Sequence, residues 1–114
     1  MMTPQDFFTL LSDETRLRCL LLLQKKQEIC VCEFSHVLNS IQPKISRHLA
    51  HLRKSGLVLD ERRGQWVYYR LNTNLQEWML KLLTTTLEDL QELEPYCSDM
   101  EKIQVLRKKN PCGS

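Results

Sequence analysis

The sequence lacks any long hydrophobic run, and its longest aliphatic stretch is the four leucines at residues 20–23. A membrane-spanning helix needs about 20 apolar residues. The first residues also lack the basic flank and apolar centre of a secretion signal. We therefore expect a cytoplasmic protein without a membrane partner. Its 114 residues, 42% hydrophobic and 26% charged, suffice for one globular core and are too few for two.

Acidic residues are absent from residues 34–59, although the whole chain has 14 of them and a net charge of +2. The same window holds all three histidines and several lysines and arginines. A surface that binds phosphate combines positive charge with a lack of nearby carboxylates. The window is therefore a candidate nucleic-acid footprint, with chance as the alternative in so short a stretch.

Three helices are predicted in the first third of the chain from capping signals and from apolar residues at helical spacing. The first is short and has Pro4 near its start. The second follows a capping signal at residues 12–15. The third runs over about residues 31–38 and ends in a turn at residues 39–40.

A fourth helix is predicted to begin near Pro43 and to stop at Gly56. Its apolar stripe of Ile45, Leu49 and Leu52 has helical spacing and should be buried. The side chains that point away from this stripe are Ser46, Arg47, Ala50, His51 and Lys54. Small, polar and basic groups on an outward face suit the major groove of DNA.

Beyond Gly56 the pattern changes to two β-rich runs at residues 57–71, which predict a hairpin with Arg62 and Arg63 near its tip. A last helix over residues 75–90 has a broad apolar arc. We expect part of that arc to meet a second copy of the chain, and the alternative is a helix that only closes the core. Residues 1–94 would then form one domain, followed at 95–114 by a flexible, cysteine-containing tail.

Two short helices joined by a tight turn and followed by a hairpin are the order of elements in a winged helix-turn-helix. The predicted fold is thus mostly α with a β-hairpin wing (α+β), and it binds operator double-stranded DNA. The side chains expected at base edges are Gln42, Ser46 and Arg47. The side chains expected at phosphates are His48, His51, Arg53, Arg62 and Arg63, with Lys44 as a further DNA-binding candidate. For His48, partial burial between Ile45 and Leu52 is the alternative.

Residues 42–58 (QPKISRHLAHLRKSGLV) closely resemble the recognition-helix signature of the ArsR/SmtB family of metalloregulatory repressors. The resemblance continues at residues 11–18 and 64–71 and covers roughly residues 4–92. It implies a dimeric repressor, with no enzymatic activity, that loses DNA affinity when an inducer binds. It also implies a homodimer built on the first and last helices. The dimer contacts expected from this are Phe7, Phe8, Leu11, Trp78, Met79, Leu82 and Leu83.

Five cysteines are an odd number, so at least one thiol stays unpaired or pairs between chains. Residues 28–34 (EICVCEF) resemble the Cys-Val-Cys inducer site of arsenic-responsive members of the family. Thiolates are soft ligands that suit trivalent arsenic or antimony. Residues two apart on a regular helix do not share a face. The sulfurs of Cys30 and Cys32 can therefore reach one atom only if the backbone there is non-helical or is unwound by the ligand.

The family motif usually has a third cysteine where this chain has Ser35. Either Cys97 or Cys112 arrives from the tail or a partner chain, or the ligand needs only two thiols, as a monomethylated arsenical would. Cys19 lies among leucines and is expected to be an ordinary buried hydrophobe. For the Cys30 and Cys32 pair, the alternative to ligand binding is that they fill the core.

Other functions remain open at this point. In a zinc or cadmium sensor, Cys32 and His36 would share a helix face and begin a tetrahedral site with Cys30. The last predicted helix has no histidine, which argues against zinc there. A redox sensor would pair two cysteines in a disulfide. A thiol enzyme would need an activated cysteine beside a base, and a winged helix that binds only protein would show no salt-dependent DNA affinity.

Overall fold

The computed structural model describes residues 2–109, and the side chains of residues 2–108. The elements follow one another along the chain in this order: α1 (Pro4–Leu11), α2 (Glu14–Lys25), β1 (Ile29–Cys30), α3 (Val31–Leu38), α4 (Gln42–Ser55), β2 (Val58–Arg63), β3 (Trp66–Leu71), α5 (Glu77–Leu90) and α6 (Tyr96–Lys109). The predicted helix-turn-helix and hairpin are both present. Among the described residues, no helix is long and apolar enough to cross a membrane.

Local capping explains where the first helices begin. Thr3 accepts a hydrogen bond from the backbone N–H of Asp6, whose carboxylate accepts one in return from the N–H of Thr3, and the two close the first turn of α1. Asp13 caps α2 in the same manner by accepting the N–H of Arg16. Gly56 ends α4 with a φ of 91°, a left-handed conformation that costs glycine little.

The hairpin is part of a three-stranded antiparallel sheet in the order β1-β3-β2. Strands β2 and β3 pair from Val58 opposite Leu71 to Arg63 opposite Trp66. Strand β1 pairs with the other edge of β3 and sets Cys30 opposite Tyr68. The sequence did not predict β1, because two residues are too short for a periodic pattern. This strand joins the cysteine segment to the wing.

The core lies around α2, which packs against α1, α4, α5 and α6. Three of the expected dimer contacts belong to this core: Phe7 and Leu83 are 0% exposed and Met79 is 1% exposed. For these residues the expected interface role is wrong, because their side chains are already buried within the chain. At the surface Phe8 is 50% exposed and Trp78 is 36% exposed, while Leu11 and Leu82 are partly buried.

The flexible tail expected from residue 95 is wrong for residues 96–109, which form α6. Met100 and Ile103, three residues apart, bury their side chains against the core. Asp99 is 1% exposed and receives two hydrogen bonds of 2.8 Å from Arg18. This partner lies 81 residues earlier in the chain, so the anchor of α6 has no local signal. Cys112 lies outside the described residues.

Candidate DNA-binding surface and cysteine site

The helix-turn-helix is formed by α3, a turn and α4. Asn39 adopts a left-handed conformation with a φ of 50° and ends α3, as asparagine often does. Ile45, Leu49 and Leu52 of α4 are 0% exposed, as the sequence predicted. Because these three side chains fix which face of α4 is buried, the opposite face is held toward solvent.

The outward face of α4 carries positive charge and polar groups. Gln42, Lys44, Arg47 and His51 are exposed, and Ser46 is partly buried. No acidic residue occurs on this helix. Within the described residues Lys44, Arg47 and His51 make no hydrogen bond or ion pair, so their polar atoms are available to an outside partner. The sequence predicted each of these side chains as a DNA contact.

His48 is partly buried, which is the alternative that the sequence offered for this residue. Its side chain is 18% exposed, and Nδ1 lies 3.8 Å from a carboxylate oxygen of Asp13. Burial lowers the pKa of His48, although the nearby Asp13 opposes this shift. His48 therefore contributes less positive charge to the surface than it would if it were not buried.

The arginines of the wing differ in how they are engaged. Arg62 is exposed near the hairpin tip. Arg63 donates to both carboxylate oxygens of Glu28, at 2.7 and 2.6 Å, and to Glu61 at 3.0 Å. Its guanidinium also lies over the ring of Tyr68, 4.6 Å from the centroid. A phosphate would have to compete with these partners for Arg63, but not for Arg62 to the same extent.

Arg53, the remaining predicted phosphate contact, has an acidic neighbour. Its Nε lies 3.6 Å from a carboxylate oxygen of Asp60, and its side chain is 52% exposed. An exposed pair of this kind is worth little and exchanges readily. Arg53 can thus still turn toward a phosphate.

The two cysteines of the Cys-Val-Cys motif lie at the junction of β1 and α3. Cys30 ends the strand with extended backbone angles (φ −77°, ψ 149°), and Cys32 is in the first turn of α3. Their sulfurs are 3.1 Å apart. The sequence left two possibilities, a non-helical backbone or one unwound by the ligand. The structure has the first of these, a non-helical backbone at Cys30. Unwinding of a helix is not needed to bring them together.

The two cysteines differ in their surroundings. Cys30 is buried, and this burial raises the pKa of its thiol. Cys32 is partly exposed and is disulfide-bonded in the structure, although not to Cys30, whose sulfur lies 3.1 Å away. A thiophilic ligand would therefore need the reduced protein, since only a thiol or thiolate can bind it.

Glu33 supports the backbone of the motif. Its side chain is almost fully buried, and one carboxylate oxygen accepts the N–H of Cys30 at 3.0 Å. Arg107 of α6 donates from Nε to the other oxygen of Glu33 at 2.9 Å. The sequence predicted a role for neither residue. Glu33 stands three residues after a helix start, which is a recognisable capping position, whereas Arg107 gives no local signal.

A third ligand does not approach the pair within the described residues. The hydroxyl of Ser35 donates to the backbone carbonyl of Ser40 and so holds the turn after α3. Cys97 begins α6, and Arg107, which reaches the cysteine segment, lies about 15 Å further along that helix. Residues 2–109 contain no group of three histidine, cysteine or acidic side chains that could hold a metal ion. His36, proposed for a zinc site, is exposed.

Cys19 has the environment predicted for a core residue. It is 0% exposed in the middle of α2, and burial raises its pKa to about 12. The prediction that Cys19 is a buried core residue is thus confirmed.

The fold and the outward face of α4 define a winged helix-turn-helix transcriptional regulator. The sequence profile described as "Bacterial regulatory protein, arsR family" matches residues 13–59, which include α2, α3 and α4. Arsenic resistance transcriptional regulator ArsR2 of Pseudomonas putida is 57% identical over 88 residues, or 77% of this chain and 76% of that protein. The chain therefore belongs to the ArsR family, whose members are transcriptional regulators that bind operator DNA and are not enzymes.

Two further comparisons agree with this assignment. The arsenical resistance operon repressor of Escherichia coli K12 is 43% identical over 103 residues, which are 90% of this chain and 80% of that protein. The solved structure of HlyU from Vibrio cholerae is 32% identical with a TM-score of 0.60, and the match covers 79% of this chain and 87% of that one. The mostly helical fold with a β-hairpin wing, expected from the sequence, is thus confirmed.

Proposed function

We propose that the protein is a cytoplasmic repressor that binds operator DNA as a homodimer and is released by a trivalent arsenical bound to Cys30 and Cys32. The observation that carries the proposal is the 3.1 Å separation of the two sulfurs at the start of α3. The names of the relatives from P. putida and E. coli, which refer to arsenic and arsenical resistance, support the same ligand class.

The ligand chemistry follows from the softness of the two sulfurs. Trivalent arsenic and antimony prefer thiolates over oxygen ligands. Each thiol replaces one hydroxyl group of arsenous acid, so that an As–S bond and a water molecule form as an S–H bond and an As–OH bond break. Two local thiols suffice for arsenite with one remaining hydroxyl, for antimonite, or for methylarsenite with its methyl group in the third position.

The position of the pair offers a route from inducer to DNA. Cys32 lies on α3, which packs directly against α4. Cys30 is paired with Tyr68 of β3 in the wing. A ligand bound to both sulfurs is therefore connected to both parts of the proposed DNA-binding surface. A ligand that prefers the altered arrangement weakens DNA binding by the same coupling free energy with which DNA weakens ligand binding.

The DNA contacts that we propose are side chains of α4 and the wing that are exposed or partly exposed. In the major groove they are Gln42, Ser46 and Arg47, with Lys44, His51, Arg53 and Arg62 at the backbone. A dimer contact through Phe8 and Trp78 fits their exposure of 50% and 36% and the 6.0 Å separation of their rings. A twofold arrangement of this kind would let two copies of α4 read two half-sites.

The experiment is a titration of the reduced protein bound to operator DNA with arsenite, methylarsenite, antimonite and zinc, followed by fluorescence anisotropy. We expect release by trivalent arsenicals for the wild type and for Cys97→Ser. We expect no release for the Cys30→Ser/Cys32→Ser variant, which should bind the operator as tightly as the wild type. Release of the double variant at the wild-type concentration would contradict the proposal.

A thiol-redox repressor of the same fold is the second candidate, because Cys32 is disulfide-bonded in the structure. Oxidation would replace the inducer as the event that alters the start of α3. The discriminating arm of the titration adds an oxidant without any metal or metalloid. Release by oxidant alone, with no response to arsenicals, would support this second function and reject the first.

A further inference from the structure

Helix α6 is tied to the cysteine segment, defined as residues 28–33, by one arginine with three hydrogen bonds. Arg107 donates from Nε and Nη2 to the two carboxylate oxygens of Glu33, at 2.9 and 3.2 Å. Nη2 also donates to the backbone carbonyl of Glu28. One planar guanidinium thus fixes both ends of a six-residue segment that contains Cys30 and Cys32.

The bonds of Arg107 reach Cys30 through Glu33. The carboxylate oxygen Oε1 of Glu33 accepts from Arg107 and also from the N–H of Cys30 at 3.0 Å. The Glu33 side chain is only 4% exposed, so that solvent screens these bonds little. Because the N–H of Cys30 is fixed, the residue keeps the extended backbone that places its sulfur near that of Cys32.

The other end of α6 is fixed independently of the cysteine segment. Arg18 and Asp99 form a bidentate ion pair at 2.8 Å, with Asp99 buried. Met100 and Ile103 add buried apolar surface between the two ion pairs. Loss of the Arg107 contacts alone should consequently free the last turns of α6 while the helix stays attached.

We propose that α6 is a latch on the inducer site, in which Arg107 acts through Glu33 as a positioning residue for Cys30 and so sets the affinity for the inducer. This inference rests on the proposed function for the identity of the inducer. It adds a regulatory element outside residues 13–59, the part of the chain that matches the family profile. Residues that orient a ligand without touching the metal typically change its affinity by about 10-fold to 100-fold.

The test compares wild-type protein, Arg107→Ala, Arg107→Lys, Glu33→Gln and the control Lys108→Ala, all reduced and full length. Lys108 is exposed on the same helix, so its loss removes the same charge without touching the cysteine segment. For each protein we would measure operator affinity without inducer, the arsenite concentration for half-release, the melting temperature, and the rate of Cys30 alkylation by iodoacetamide.

For Arg107→Ala we expect half-release to need about tenfold more arsenite or more, with operator affinity unchanged within about twofold. Glu33→Gln should act in the same direction. Arg107→Lys should fall between the wild type and the alanine variant, since lysine keeps the charge but cannot form the bidentate pair. Alkylation of the buried Cys30 should become faster when the latch opens, and Lys108→Ala should match the wild type in every measurement.

Two outcomes would overturn the latch. One is an Arg107→Ala variant with wild-type half-release and wild-type alkylation. The other is a parallel loss of melting temperature, operator affinity and arsenite response, which would show a purely structural role. Failure of the proposed function is distinguishable: wild-type protein would then not respond to arsenite, while faster alkylation of Cys30 in Arg107→Ala would still report the latch.

Discussion

The outward face of α4 and the cysteine segment differ in how far their side chains are engaged within the protein. Arg47 and Lys44 on α4 are exposed and make no hydrogen bond or ion pair in the described part of the chain. Glu28 and Glu33 in the cysteine segment are bonded to the wing and to α6. The first region leaves its charged side chains exposed, and the second connects the wing to α6.

The largest expected effect is a loss of operator binding when one side chain on the outward face of α4 is removed. Arg47→Ala should weaken operator binding about 10-fold to 100-fold, because a bidentate contact to a base is worth about 1–3 kcal/mol. Arsenite binding to the same variant should stay at the wild-type affinity. Anisotropy on operator DNA and competition with a dithiol chelator would measure the two quantities. An equal loss of both would show that the regions are not separable.

A smaller effect is expected at the wing arginines, of which Arg63 is bonded to Glu28 of the cysteine segment. Arg62→Ala should weaken binding to all DNA sequences similarly and reduce the salt dependence by about one phosphate contact. Arg63→Ala should cost less, because Arg63 already pairs with Glu28 and Glu61, which raise its pKa. Measuring operator affinity over a range of salt concentrations checks both variants. A larger loss for Arg63→Ala would mean that the pair with Glu28 opens on DNA.

The last prediction concerns Cys19, a core cysteine that lies outside the Cys-Val-Cys motif. Burial raises the pKa of Cys19 to about 12, while an unfolded thiol has a pKa of about 8.5. Between these values the unfolded chain loses its proton first, so the contribution of Cys19 to stability is complete below about pH 8.5 and falls as pH rises, by about 1.4 kcal/mol per unit.

Urea denaturation of reduced wild type and of Cys19→Ala between pH 8 and 10 measures this contribution. The wild type should lose stability more steeply with rising pH than the alanine variant. Equal slopes would mean that the thiol reaches solvent in the folded state.

The difference between the outward face of α4 and the cysteine segment also explains how much could be predicted from the sequence. The limits of α3 and α4, the buried stripe of α4 and the hairpin follow from local spacing and from Gly56, and the structure confirms them. The absence of acidic residues from residues 34–59 likewise requires only the sequence. The outward face of α4 could be predicted from local sequence because its exposed side chains do not depend on contacts with distant residues.

The cysteine segment could be predicted only in part. Its residue types indicate a thiophilic ligand, but the extended backbone at Cys30 depends on pairing with Tyr68 and on Glu33. Arg107 lies 74 residues from Glu33 along the chain. No local pattern contains such contacts. The sequence predicted a tail in place of α6 because the buried apolar residues of this helix are few and its ion pairs are with distant residues.

X-ray absorption at the arsenic edge would show whether Cys30 and Cys32 together bind the arsenical. Reduced protein loaded with one equivalent of arsenite should show at least two sulfur neighbours around arsenic. Cys30→Ser/Cys32→Ser should show oxygen neighbours only, and Cys97→Ser should reproduce the wild-type spectrum. Sulfur coordination that persists in the double variant, or that is lost in Cys97→Ser, would contradict the account.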